Sequence, residues 1–397
     1  MIRRNGTVRV AVLLGVALAA LAGCAKQSNE IPVGVYGSLT GDTATFGIST
    51  KQGIELFIES VNQAGGVGGT KIRLINEDDQ SKAEEAATAV QKLIEQDGVV
   101  AVLGEVASSR SMAAAPICQK AGIPMITPSS TNPKVTELGD YISRVCYIDP
   151  FQGMVIAKFA RQTLGFSKAA VLRDVKNDYS VGLANYFTES FHAMGGTVAV
   201  DEAYAAGDQD FKAQLTVIKT KRPDFIMVPG YYTEVALIAR QARELGITVP
   251  LLGGDGWVSD RLLDIAQDAL NGSYFVSHYW EKDPNPAIQK FVADYRARYN
   301  ATPDALAALA YDAAGVLVHA LESLNEEDPA AFKSFVGPRG EKQSAARAKL
   351  RDLIAGTKEY PGVTGRITLD AKRNAVKTAT FLGIKDRQYD FVAVVEP

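Results

Sequence analysis

Val99-Val100-Ala101-Val102-Leu103-Gly104-Glu105-Val106-Ala107-Ser108-Ser109 is the stretch that decides the fold. Its first five residues are all apolar and leave no polar face, the pattern of a strand in a sheet covered on both sides. A turn of small and polar residues follows, then a helical period over 110–120. Strand, turn and helix in that order make half of a parallel crossover unit.

The same cadence runs outward in both directions. Further β-rich runs fall at 33–36, 72–76, 124–127, 142–147, 169–173, 198–204, 225–228, 251–253 and 274–277. Helical periods separate them at 50–62, 83–96, 152–163, 182–194, 211–220, 234–245 and 260–267. In the first of these, Ile54, Phe57, Ile58 and Val61 share one face, as in a half-buried helix. The fold class is therefore α/β with doubly wound parallel sheets. The end of the chain differs: helices at 286–299 and 305–323, then a polar stretch over 325–344 that reads as a surface excursion. A helix at 345–354 and short strands at 366–369, 380–384 and 391–395 complete it.

The N-terminus reads as an export leader. Arg3, Arg4 and Arg9 precede an apolar run over 10–22, which ends in Leu21-Ala22-Gly23-Cys24. The run is too short to span a bilayer core of about 30 Å. The cysteine after Leu-Ala-Gly resembles the lipobox of bacterial lipoproteins, which makes Cys24 a lipidation site and residues 24–30 a tether. Roughly 370 residues then remain, more than one core supports, so two units are expected. No later apolar run approaches membrane-spanning length, which leaves the lipid as the only membrane contact.

Composition and motif searches exclude several functions. A net charge of −3, with both signs mixed along the chain, lacks the basic surface that nucleic acid requires. His192, His278 and His319 stand apart, without partners at ligand spacing, and read as ordinary surface or core histidines. Neither a G-x-S-x-G elbow nor a Walker loop is present. Gly65-Gly66-Val67-Gly68-Gly69 follows a helix and precedes a strand, the reverse of a phosphate-cradling turn, so it reads as a turn needing positive φ. Asp78-Asp79 lacks further oxygen ligands and reads as a solvated loop. Cys118 and Cys146 permit a disulfide after export or two buried thiols; spacing leaves both open. No metal and no cofactor is expected.

Polar, small and aromatic residues concentrate just after the strands, where open α/β sheets hold ligands. There, Ser108 and Ser109 open a helix, so hydroxyls, free N–H groups and the helix dipole suit a carboxylate. Thr131 adds a donor. Asp255, a strand-end acid flanked by glycines, suits an α-ammonium, and Tyr231 adds a phenol oxygen. A buried ammonium needs such a fixed, hydrogen-bonded carboxylate.

These residues, with Gly37-Ser38-Leu39-Thr40-Gly41, Asn62-Gln63-Ala64-Gly65-Gly66-Val67, Asp78-Asp79, Ile123-Pro124-Met125-Ile126-Thr127-Pro128-Ser129-Ser130-Thr131 and Gly253-Gly254-Asp255-Gly256, resemble the branched-chain amino acid binding proteins of bacterial ABC importers, in the type I periplasmic binding protein superfamily. The resemblance runs from Ile31 to about Val395. It implies two Rossmann-like lobes joined by a three-segment hinge near Pro150, His278 and Val376. Lobe 1 then takes residues 31–149 and 279–376, and lobe 2 takes 150–278 and 377–397. It also implies that Ser108, Ser129 and Thr131 hold the ligand carboxylate and that Tyr231 and Asp255 hold its ammonium. Phe46, Tyr179, Leu306 and Trp257 are matched to the pocket wall, with Arg110 and Glu105 at its border.

The chain departs from the family in three places. The acid of the Gly-Gly-Asp-Gly turn is often glutamate in branched-chain binders, a small disulfide loop has no counterpart here, and Leu306 replaces an aromatic of some members. The implied function is capture of a free amino acid, with branched-chain or other aliphatic side chain, and delivery to a permease and its ATPase. No bond is made or broken. The implied state is a monomer outside the cytoplasm. A tethered sensor subunit for a small amide or carboxylate is the alternative.

Overall fold

The computed structural model describes residues 29–336 and 340–396. The leader, the lipobox with Cys24 and most of the tether lie outside the described residues.

Five parallel strands form the first sheet: β1 (Glu30–Gly37), β2 (Lys71–Asp78), β3 (Ala101–Leu103), β4 (Met125–Thr127) and β5 (Ile142–Arg144). Their order is β2-β1-β3-β4-β5. The next five strands are β6 (Lys168–Asp174), β7 (Thr197–Tyr204), β8 (Phe225–Met227), β9 (Leu251–Gly253) and β10 (Tyr274–Ser277). They repeat the arrangement in a second sheet, again parallel, in the order β7-β6-β8-β9-β10. A small hairpin, β11 (Tyr360–Gly362) and β12 (Gly365–Ile367), stands apart, before β13 (Ala379–Lys385) and β14 (Gln388–Val395). These last two join the second sheet antiparallel beside β10, so that sheet is mixed rather than wholly parallel. A short turn between β13 and β14 allows only an antiparallel pair.

The strands β3, β4, β8 and β9 are buried throughout, as sheets covered on both faces require. The chain passes between the sheets three times: after β5, after β10 and before β13. After the second passage, the helices Pro286–Tyr299 and Ala305–Glu327 return to the first sheet. Ala305–Glu327 is long and apolar enough to cross a membrane, contrary to expectation, yet 83% of its apolar window is buried inside the protein. It is a core helix: its small residues let it lie against the Ala44–Gln63 helix, where a Cβ on Gly53 would come within 2.1 Å of the Ala307 carbonyl oxygen.

Three further expectations need correction. The polar stretch over 325–344 is anchored rather than a simple excursion where it is described, because Pro329–Lys333 and the turn after it bury Phe332 and Phe335 in the first sheet's core; residues 337–339 lie outside the described residues. The strand expected over 142–147 stops at Arg144, where the chain turns toward the second sheet. Asp79 is fully buried rather than solvated, and accepts from the Ser38 hydroxyl at 2.7 Å. The Gly65–Gly69 turn does use positive φ, at Gly65, Gly66, Gly68 and Gly69. Cys118 and Cys146 are separate buried thiols, and burial pushes each up to about 12.

Gly53→Ala should lower stability by about 1–3 kcal/mol, since an inserted methyl forces two helix backbones apart. Urea unfolding reads this directly; an unchanged midpoint would show that the helices do not meet there.

Candidate functional site

The C-terminal ends of the two sheets face each other. Thr45 and Ser259 hydroxyls lie 3.0 Å apart, the Ser109 hydroxyl donates to Asp178 at 2.9 Å, and Asn132 Nδ2 donates to the Asp178 carbonyl at 2.9 Å. Phe46 packs edge-on against Tyr231 and Tyr232 at 5.3 and 5.2 Å, so one apolar cluster runs across the junction.

On the first sheet, two loops are stitched into one surface. The Thr127 hydroxyl donates to the Glu105 carbonyl at 2.6 Å and accepts from the Ser130 N–H at 3.0 Å. The Ser130 hydroxyl lies 2.9 Å from the Glu105 and Val106 carbonyls. From beneath, the fully buried Arg144 guanidinium donates to the carbonyls of Ser130 and Asn132, the latter at 2.8 Å. The stitching brings Val106, Ser129 and Thr131 side by side. Ser129 Oγ is buried with no partner. The Asp149 N–H donates to the Thr131 carbonyl at 3.0 Å, and burial pushes the Asp149 carboxyl up to about 8.

On the second sheet, Tyr179 and Tyr231 stack with centroids 5.5 Å apart and planes 8° apart. The Tyr179 phenol accepts from the Gly256 N–H at 3.0 Å, and Asn177 bonds the Tyr231 phenol. The Asp255 N–H donates to Gln152 Oε1 at 2.7 Å. Asp255 Oδ2 lies 3.0 Å from His278 Nε2, and Oδ1 is buried without a partner. His278 is therefore not isolated, as the sequence suggested; it supports the acid.

Val106, Ser129, Thr131, Tyr179, Tyr231, Asp255 and Gly256 enclose a cavity of about 10 Å³, room for one water. Four other expected site residues lie off its lining. Ser108 is buried next to it, and its hydroxyl accepts from the Asn132 N–H at 3.1 Å. Phe46 backs Tyr231 rather than the cavity. Leu306 lies in the apolar cluster that contains Phe46. Trp257 turns away, its indole donating to the Val228 carbonyl at 3.0 Å and stacked near Phe275.

A larger cleft of about 180 Å³ adjoins the cavity through Tyr231, with Thr43, Ser109, Arg110, Asn177 and Glu234 on its walls. Arg110 is pinned: its Nε lies 3.1 Å from Glu105 Oε1 and 3.9 Å from Asp79 Oδ2, and it donates to Thr43 Oγ1 at 2.9 Å. Burial of Glu105 beside Asp79 pushes it up to about 7 despite the guanidinium.

Asp149, Gln152 and His278 were missed at the sequence level. His278 directly follows β10, so the strand-end rule that selected Asp255 also points to it. Asp149 and Gln152 carry no local signal, because their partners are about 20 and 100 residues away in sequence.

The family model described as "Periplasmic binding protein" matches residues 30–387. The leucine-, isoleucine-, valine-, threonine- and alanine-binding protein of Pseudomonas aeruginosa is 32% identical over 82% of this chain and 87% of its own. Among solved structures, the leucine binding protein LivK of Thermotoga maritima superposes with a TM-score of 0.84 at 39% identity, covering 92% of this chain and 99% of its own. The branched-chain amino acid transporter substrate binding protein LivJ of Streptococcus pneumoniae, solved with isoleucine, gives 0.84 at 33% identity, covering 93% and 100%. With the repeated parallel sheets, the facing strand ends and a family match over most of its length, this chain belongs to the periplasmic binding protein family.

Proposed function

We propose that the protein is an extracytoplasmic substrate-binding protein of an ABC importer, which takes an amino acid between its two halves and delivers it to a permease. The observation that carries this reading is a pair of buried atoms without partners: Ser129 Oγ on the first sheet and Asp255 Oδ1 on the second. Both residues line one cavity. A hydroxyl donor on one side and a carboxylate on the other complement the two ends of a zwitterion. Buried polar atoms left unpaired are rare, and a ligand that supplies the missing bonds removes their desolvation penalty.

The ligand carboxylate lies toward Ser129, Thr131 and the start of the helix at Ser108, where N–H groups and the dipole favour an anion. Its ammonium lies on Asp255 beside Tyr231. A cavity that holds one water admits an amino acid only when the halves part, so residues 31–149 with 279–376 and 150–278 with 377–397 act as two lobes on a hinge. A ligand that touches both lobes favours the closed arrangement by its differential affinity. The side chain is aliphatic, as supported by the relatives that bind leucine, isoleucine and valine, and it leaves the inner cavity toward the adjoining cleft. Cys24 carries a lipid that holds the otherwise monomeric protein at the membrane.

Calorimetric titration of leaderless protein with leucine, isoleucine, valine, alanine and threonine tests the reading. Asp255→Asn should weaken binding at least about 30-fold, since an ammonium that loses its buried charged partner is penalised by about 2 kcal/mol or more. Ser129→Ala should weaken it about fivefold, the value of one net hydrogen bond near 1 kcal/mol. Binding indifferent to Asp255, or confined to acids without an amino group, would overturn the assignment.

Cys24→Ser should move the full-length protein from the membrane fraction to the soluble one, read by fractionation. A variant that stays with the membrane would exclude the lipid as its anchor.

A further inference from the structure

Each passage between the sheets carries a buried ionisable side chain: Asp149 in the first, His278 in the second and Lys377 in the third. His278 reaches the ligand cavity through Asp255. Its Nε2 lies 3.0 Å from Asp255 Oδ2, its ring stacks on Tyr147 with centroids 3.8 Å apart, and its Nδ1 is buried without a partner. One nitrogen on a carboxylate and the other unpartnered fit a neutral imidazole with its proton on Nε2. Burial favours that neutral form, against the pull of Asp255. With Oδ2 held by His278 and the Asp255 N–H held by Gln152, Oδ1 is fixed toward the cavity.

We propose that His278 is the positioning residue of the ammonium site: it orients Asp255 toward the ligand, and its own protonation opposes binding. The proposal rests on the amino-acid reading above. A second proton would place an imidazolium on the carboxylate that the ligand ammonium must use, so two cations would share one anion. By linkage, a bound ammonium lowers the histidine's affinity for its proton, and acid correspondingly lowers the affinity for the ligand.

The other groups around His278 titrate elsewhere. Burial holds the protons on Tyr147 and on Cys146. Lys377 is pulled down to about 8, and Asp149 is pushed up to about 8, both on the alkaline side. Charging Asp149 beside Thr131 repels a ligand carboxylate, which weakens binding as pH rises, the opposite direction. Glu105, pushed up to about 7, lies across the cavity on the first sheet's loops and is common to wild type and variant.

The test is titration of leaderless wild type and His278→Gln with leucine and the four other amino acids named above, from pH 7.5 down to pH 5. Glutamine, one methylene longer than asparagine, brings an amide N–H to the Nε2 position and so keeps a donor for Asp255, but takes no proton. Wild type should weaken measurably over this range, by up to about tenfold, the limit for one pKa unit displaced by the ligand. His278→Gln should bind up to about fivefold more weakly than wild type at pH 7.5, the value of one net hydrogen bond if the amide replaces the imidazole imperfectly, and lose little further on acidification. A wild-type profile that is flat, or variant and wild-type profiles that fall in parallel, would overturn the role of His278. If the variant does not fold, wild type measured at pH 5.5 in two buffers of different ionisation enthalpy decides the matter: proton release on binding supports the proposal, and none overturns it. Absence of binding by wild type to any of the five amino acids at pH 7.5 instead overturns the amino-acid reading itself.

Discussion

Strands of a parallel sheet all end at one edge, and here two such edges are set face to face. Everything at the site follows from that constraint. Each strand must be followed by a turn and a helix on the far side, so each delivers a loop to the same edge. The two sheets share the order second, first, third, fourth, fifth strand in their parallel parts. The loops after the third and fourth strands therefore oppose their counterparts: Val106, Ser129 and Thr131 on one side, Tyr231 and Asp255 on the other. Neither half alone offers a donor and an acid at the two ends of a small molecule.

Charge in this interior is organised in clusters rather than isolated pairs. Glu105, Asp79 and Arg110 form one buried group on the first sheet, tied by Ser38 and Thr43. Asp312 forms another: it accepts the Val363 and Thr364 N–H groups at 2.7 and 2.9 Å, and Thr364 also takes a bond from Lys377. Removing one member of such a group leaves an uncompensated buried charge, which is far more damaging than the net value of the pair. Asp255, like Asp79, has one oxygen satisfied by the protein and one left over, but it lines the cavity between the two sheets.

The fold was legible because its signal is local. Val99 to Leu103 is apolar without a break, and periodicity places Ile54 and Ile58 on one buried face. The cavity was partly legible, because strand ends can be read once strands are known: that reading pointed to Thr131, Tyr231 and Asp255, the family resemblance added Ser129 and Tyr179, and all five line one cavity. What escaped depends on distant partners. Asp79 looks like a solvated turn until Ser38, just after β1, and Arg110, from the Ser108–Ala121 helix, pack against it. His278 looks solitary because Asp255 precedes it by 23 residues. Phe332 and Phe335 were hidden by their polar neighbours, and the antiparallel strands at the end carry no periodicity that distinguishes them from parallel ones.

A crystal structure of the leaderless protein grown with leucine is the most direct measurement of how the two halves share a ligand. The predicted result has the carboxylate within hydrogen-bond distance of Ser129 and the start of the Ser108 helix, and the ammonium on Asp255 Oδ1, with both sheets contacting one molecule. A ligand bound to one half alone, or reversed so that its carboxylate meets Asp255, would contradict the two-sided capture derived from these facing strand ends.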